Sequence, residues 1–410
     1  MSSNSSKSAT SLTSEVKQYL LITGNYWAFT LTDGALRMLV VLHFHALGYS
    51  PLQIAMLFLF YEVFGVITNL LGGWLGARIG LQRTMNIGLG LQVFALGMLL
   101  VPAALLTVPW VMAAQALSGI AKDLNKMSAK SSIKLLVPDD KQNKLYAWVA
   151  VLTGSKNALK GVGFFLGGVL LSSVGFQNAV MIMALSLGLV WIASLVLLKK
   201  DLGRSKAKPK FTEIFSKSQP INSLSAARLF LFGARDVWFV VALPIYLSVN
   251  FGWDYWSVGG FLASWVIGYG LIQTIAPKIT GSAEGKIPDG TSAFRWACGL
   301  TFIPALIAVG MGSGANPELV LIGGLLIFGG VFAVNSSLHS YLIVSYADRD
   351  GLSLDVGFYY MANALGRLLG TVLSGWVFQM AGFIPCLLIS SVFVALAALI
   401  SLGLPSLKRI

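Results

Sequence analysis

Apolar residues in this chain do not alternate with polar ones over short distances; they come in long blocks separated by brief polar breaks. Runs fall at about 19–46, 51–77, 84–106, 109–134, 145–173, 177–198, 221–250, 254–278, 292–311, 318–346, 355–380 and 384–404. Each reaches the ~20 residues that a helix needs to cross the hydrocarbon core. A membrane-spanning β-barrel would instead show apolar and polar residues in strict alternation. The pattern predicts an all-α membrane protein with twelve transmembrane helices, numbered here as spans 1 to 12.

Composition removes the other classes. Hydrophobic residues make up 56% of the 410 and charged residues only 11%, against ~25% charged in a typical soluble protein. Soluble enzymes, disordered chains and collagen-like fibres are excluded. Cys298 and Cys386 sit alone in separate runs, which gives neither a disulfide framework nor a metal cluster. The Ser-rich start through Thr13 and the long run from Tyr19 lack a cleavage site, so the first run is expected to stay as a span.

The net charge of +13 becomes informative once it is placed along the chain. Alternate loops carry Arg78 with Arg83, Lys141 with Lys144, a central basic stretch, Lys278 with Lys286, Arg349, and Lys408 with Arg409; the loops near 48, 107, 175, 252, 314 and 382 carry no Lys or Arg. Positively charged short loops stay in the cytoplasm, so both termini are expected there, with six spans on each side of the central stretch. The expected organisation is a tail at 1–18, a six-helix half at 19–198, a basic linker at 199–220, a second half at 221–404 and a tail at 405–410. The linker's Lys199, Lys200, Arg204, Lys206, Lys208, Lys210 and Lys217 read as a solvated connection, and no nucleic-acid partner is expected.

The halves echo each other. Asn157-Ala158-Leu159 with Lys160 recurs as Asn363-Ala364-Leu365 with Arg367 at an offset of 206, and Leu47-Gly48-Tyr49 corresponds to Phe251-Gly252-Trp253 at 204. Two pseudo-symmetric six-helix halves are a construction of secondary transporters.

Charges inside the spans are the candidate chemistry. The basic ones are Arg37 in span 1, Lys122 and Lys126 in span 4, Lys156 and Lys160 in span 5, Arg228 and Arg235 in span 7, and Arg367 in span 11; the acidic ones are Asp33, Glu62, Asp123 and Asp236. Each costs ~2.5–3.5 kcal/mol on insertion scales, so it faces a cavity and has a task. Lys122/Lys126, Lys156/Lys160 and Asp33/Arg37 are four apart and share a helix face. The eight cations outnumber the four carboxylates, and the surplus suits a small anion of several charges. The cations are expected to bind it, and Asp33, Asp123, Asp236 and Glu62 to pair with them or carry protons. Lys130 and Lys134 are expected to snorkel to the cytoplasmic surface. Spans 3, 6 and 12 are uncharged and span 9 has only Arg295 at its inner end, which predicts that these four face lipid. His43, His45 and His339 read as hydrogen-bonded structural residues. No catalytic group, cofactor or metal is expected, and no Gly-x4-Gly-Lys-Ser/Thr motif for ATP occurs.

After span 2 comes Gly73-Trp74-Leu75-Gly76-Ala77-Arg78-Ile79-Gly80-Leu81-Gln82-Arg83. It resembles the loop signature of the major facilitator superfamily, Gly-x-Leu-x-Asp-Arg-x-Gly-Arg-Lys, with Ala77 in place of the acidic residue and Leu81 and Gln82 in place of two basic ones. The resemblance implies a gating loop of Gly73, Arg78, Gly80 and Arg83. Gly154-x8-Gly163-x3-Gly167-Gly168 partly follows that superfamily's antiporter motif, without its Pro, and reads equally as small-residue helix packing. Four segments resemble one branch, the organoarsenical efflux permeases of bacteria: Gly24–Trp27 through Asp33–Arg37, Gly119–Lys126, Gly154–Gly161 and Phe232–Trp238. This resemblance implies a bacterial inner-membrane protein exporting 1-arseno-3-phosphoglycerate by alternating access, with arsenate resistance as the result. It also implies a functional link to a glyceraldehyde-3-phosphate dehydrogenase that makes the compound. A monomer in the lipid bilayer is expected. The alternatives are an organophosphate/phosphate exchanger and, from another class, a non-transporting membrane scaffold.

Overall fold

Lipid forces every backbone amide to be satisfied within its own segment, and the long apolar runs accordingly form helices. A computed structural model describes residues 5–48, 57, 59–138, 141–198, 218–253, 255–282, 285–349 and 351–406. The basic stretch 199–217 and the terminal Lys408 and Arg409 lie outside them. The helices are α1 (Ser5–Ala46), α2 (Leu59–Ile79), α3 (Leu81–Met98), α4 (Val108–Leu136), α5 (Gln142–Leu197), α6 (Gln219–Phe239), α7 (Ala242–Phe251), α8 (Tyr255–Ile279), α9 (Gly290–Met311), α10 (Pro317–Tyr346), α11 (Leu352–Ala381) and α12 (Phe383–Ser401). No strand occurs among the described residues.

The twelve expected spans are present, with two departures in how they are divided. Spans 5 and 6 run on as α5, interrupted only at Gly175, whose φ of 77° is open to glycine at no steric cost. The 56 residues reach roughly 84 Å at 1.5 Å each, enough for two crossings. Span 7 is broken between α6 and α7. Pro244 has no amide to donate and its ring would strike the carbonyl of Val240, four residues back. The Ser374 hydroxyl accepts from the amides of Val241 and Ala242 at 3.3 and 3.1 Å, which satisfies donors released at the break. Two helix starts carry side-chain caps. Asp289 and Ser292 form a reciprocal capping box at α9, and Asn316 caps α10.

Gln142–Leu197, Gln219–Phe251, Ser257–Ile279, Gly290–Met311, Pro317–Tyr346 and Phe383–Ser401 are long and apolar enough to cross a membrane by length and composition. Exposed apolar side chains lie along α3 (Ile87, Phe94), α5 beyond Gly175 (Leu185, Leu189, Val196), α9 (Phe302, Leu306, Val309) and α12 (Val392, Leu399). These are spans 3, 6, 9 and 12, and the exposure is what lipid-facing helices require.

By its contacts the chain divides into two units. The first comprises Met1–Lys141, Val162–Ile214 and Asp348–Gly357, the second Gln142–Gly161, Phe215–Ala347 and Phe358–Ile410. In the second unit, the start of α5 packs on α8 through glycine: a side chain at Gly154 would begin 2.6 Å from the Thr274 amide. In the first unit, the continuation of α5 packs on α1, where a side chain at Gly163 would begin 2.8 Å from the Leu31 carbonyl. These glycines of the antiporter-like motif therefore serve close helix packing here. The core of the second unit is aromatic, with Trp238, Trp265, Phe328 and Phe332 buried against one another.

Candidate functional site

The intramembrane charges gather into two clusters, one in each unit. In the first, α1 supplies Asp33 and Arg37, α2 supplies Tyr61, and α4 supplies Lys122, Asp123 and Lys126. Asp123 is buried and pairs with Lys126 Nζ at 2.6 Å and with Lys122 Nζ at 3.9 Å. Asp33, also buried, accepts a hydrogen bond from the Tyr61 hydroxyl at 2.8 Å. The Tyr61 ring draws in two cations: the Arg37 guanidinium carbon lies 4.0 Å and Lys122 Nζ 3.8 Å from its centroid. A cation held this way is attracted by the ring quadrupole. The small Gly119 admits this arrangement, because a side chain there would begin 2.8 Å from the Tyr61 carbonyl.

In the second unit, Asp236 on α6 is fully buried and bridges two arginines. Arg235 Nη2 stands at 2.5 Å from one of its oxygens and Arg367 Nε, from α11, at 3.1 Å from the other. Arg228, two turns earlier on α6, is buried too, but its partners are neutral: Asn363 Oδ1 at 2.8 Å and the Ser336 carbonyl at 3.3 Å. On α5, Lys156 Nζ donates to Asn157 Oδ1 at 3.3 Å, and Asn157 donates in turn to Gln273 of α8 at 2.5 Å; Lys160 is half-buried one turn further on.

One electrostatic design recurs. Asp123 and Asp236 are both buried and each is shared by two cations, while the cations keep 13–26% of their side-chain surface. A buried carboxylate shared in this way fixes two cations in place. Glu62 neighbours Tyr61 on α2, and its side chain lies outside the described residues.

The gating residues implied by resemblance sit at the α2–α3 turn and the α2–α11 crossing of the first unit. A side chain at Gly73 would begin 3.1 Å from Gly357 Cα, and the Ser353 hydroxyl donates to the Gly73 carbonyl at 2.8 Å. Gly80 ends the turn at φ 96°, a region that L side chains avoid. Arg78 is exposed and lies over the Trp74 ring at 5.1 Å, and Arg83 is exposed.

Three expectations change. Lys130 and Lys134 do not snorkel: they are only 3% and 6% exposed, because the α4 face that bears them packs inside the first unit. His339 is not hydrogen-bonded; both of its nitrogens are buried without a partner. His43 packs by stacking on Phe176 at 4.1 Å, and the side chain of His45 lies outside the described residues. Tyr61, Asn363 and Gln273 hold the charges in place and were not singled out as site residues in the sequence, where they look like ordinary span residues. Among the described residues, no group of three or more His, Cys, Asp or Glu side chains is placed to hold a metal ion.

The family model described as Major Facilitator Superfamily matches residues 20–351. No curated protein matches by sequence. Among solved structures, the human organic anion transporter MFSD10 (TETRAN) aligns at 16% identity and TM-score 0.72, over 94% of this chain and 99% of that one. The Escherichia coli fucose:proton symporter FucP aligns at 13% and 0.70, over 95% and 98%. A bacterial homologue of the iron transporter ferroportin, in an outward-facing state, aligns at 14% and 0.72, over 94% and 98%. At these identities the likeness is one of fold.

Proposed function

The chain belongs to the Major Facilitator Superfamily and is a multi-pass secondary transporter, and we propose that it is not an enzyme and that its cargo is a small, multiply charged organic anion that it exports by alternating access. The observation that carries this reading is the sharing of Asp123 by Lys122 and Lys126 and of Asp236 by Arg235 and Arg367. Cations fixed in a low-dielectric setting attract an anion far more strongly than they would in water, and they repel a cationic drug. The human structural neighbour is named as an organic anion transporter, which is in keeping with this reading.

The resemblance to organoarsenical efflux permeases makes 1-arseno-3-phosphoglycerate the specific candidate. In this reading Arg37, Lys122, Lys126, Lys156, Lys160, Arg235 and Arg367 take up its phosphoryl and arsenyl charge, and Arg228 is a further cation of the anion-binding set. Asp33, Asp123, Asp236 and Glu62 hold the cations between cycles, and Gly73, Arg78, Gly80 and Arg83 belong to the gate. The halves 19–198 and 221–404 would be the moving bodies of a monomer in a bacterial inner membrane, with both termini cytoplasmic. A glyceraldehyde-3-phosphate dehydrogenase using arsenate would supply the cargo.

The test is co-expression with such a dehydrogenase in an arsenate-sensitive bacterial host. Arsenic should leave the cells and growth recover only when both proteins are present. Efflux without the dehydrogenase, or none with it, sinks the arsenyl cargo. Phosphate-loaded vesicles that take up a sugar phosphate by counterflow would favour the organophosphate/phosphate exchanger instead.

A further inference from the structure

The packing of α6, α10 and α11 in the second unit buries a set of polar side chains that lack regular hydrogen-bond partners. Arg228 spends one N–H on Asn363 and one on the Ser336 carbonyl, and the rings of Phe232 and Tyr359 lie 3.7 and 5.2 Å from its guanidinium carbon. All of these neighbours are neutral. Asp236, on the same helix, is already shared by Arg235 and Arg367. Among the described residues no carboxylate pairs with Arg228.

Ser336, His339 and Ser340 stand on one face of α10 by their spacing, and all three are fully buried. The two hydroxyls, both imidazole nitrogens and the Tyr359 hydroxyl lack a hydrogen bond of regular geometry, although tyrosine hydroxyls approach both serines, Tyr269 at Ser336 and Tyr359 and Tyr360 at Ser340. Arg228 touches this set through the Ser336 carbonyl and the Tyr359 ring, and its charge acts on His339. Buried polar groups ordinarily find partners, and a buried charge ordinarily finds a counter-charge. A set rich in donors, positive, and without an acidic side chain has the make-up of an anion receptor.

We propose that Arg228, Ser336, His339, Ser340 and Tyr359 form a seat for one monovalent anion, either a halide ion or a carboxylate head. The single fixed cation sets the charge. It balances one negative charge, whereas a phosphoryl or arsenyl dianion would leave a second charge buried and uncompensated. The seat is thus distinct in task from the lysines and arginines grouped around Asp123 and Asp236. The inference deepens the anion reading above by giving Arg228 a charge-specific role. Its readout needs no transport, so a failed cargo assay leaves it standing.

The experiment is thermal unfolding of the purified full chain in detergent, at constant ionic strength, with chloride or acetate titrated against sulfate. The wild type should show a saturable rise in unfolding midpoint with chloride or with acetate. Saturation by chloride alone identifies a halide seat, and by acetate alone a carboxylate seat. Arg228→Gln should weaken the half-saturating concentration by about ten- to hundredfold, and the Ser336→Ala/Ser340→Ala double variant should weaken it while leaving the cation in place. A wild type that responds to neither anion overturns the proposal. So does a response that the serine double variant and Arg228→Gln both keep unchanged; if Arg228→Gln does not fold, the serine double variant alone decides.

Discussion

Asp123 holds Lys126 at 2.6 Å and Lys122 at 3.9 Å, so its two cations are not equivalent. Lys122→Ala leaves the carboxylate neutralised by Lys126, and the variant is expected to fold and insert like the wild type. It forfeits one charge-assisted contact to an oxyanion, ~1.5–3 kcal/mol or roughly ten- to hundredfold in affinity. Efflux should fall accordingly while membrane levels on an immunoblot stay unchanged; unaltered efflux would mean that Lys122 is structural. Asp123→Ala should do the reverse, lowering the amount of folded protein, since it leaves two cations side by side without their shared carboxylate. Tyr61→Phe separates the tyrosine's two duties. The ring remains for Arg37 and Lys122, but Asp33 loses the hydrogen bond that the tyrosine hydroxyl donates, a change of about 1–3 kcal/mol for a buried acceptor. A lowered unfolding midpoint for Tyr61→Phe, with a further drop for Tyr61→Leu, is the expected order; equal midpoints would show that the hydroxyl carries nothing.

At the level of helices, the α2–α11 crossing depends on the absence of side chains. A Cβ at Gly357 would begin 2.8 Å from Gly73 Cα, closer than real side chains approach, so no rotamer change relieves it. Gly357→Leu is expected to push the helices apart and lower both the unfolding midpoint and transport, whereas Gly375→Leu, further along α11 in open space, should be tolerated. Matching losses at the two positions would remove the crossing from the argument. The helices were legible in the sequence because a bilayer leaves an apolar run of ~20 residues little alternative to a helix. The division of span 7 was foreshadowed by Pro244, which the hydropathy of the run conceals. Burial of Lys130 and Lys134 was not legible: position along a helix gives depth, but the face that packs is decided by neighbours far away in sequence. Tyr61 was hidden for the same reason, since its value lies in partners on α1 and α4 rather than in its own run.

For the molecule as a whole, the charge of the proposed cargo bears on what drives transport. Each anionic charge leaving a negative-inside cell gains ~2.3 kcal/mol per 100 mV, so a dianion is driven outward by the potential alone. A cargo that breaks down outside would keep its gradient steep as well. Proton antiport is then unnecessary, and the buried carboxylates are free to act as counter-ions. Asp123 and Asp236 are each paired with two cations, an arrangement that suits a counter-ion. The expectation is that collapsing the pH gradient with the potential clamped leaves efflux largely intact, and that collapsing the potential with the pH gradient preserved slows it strongly. The measurement is arsenic efflux from proteoliposomes containing the dehydrogenase reaction, with ionophores setting each gradient separately. If efflux instead follows the pH gradient, a carboxylate must take up a proton during the cycle. Asp33 is then the first to examine, because the neutral Tyr61 hydroxyl donates to it, and Asp33→Asn should abolish the proton dependence.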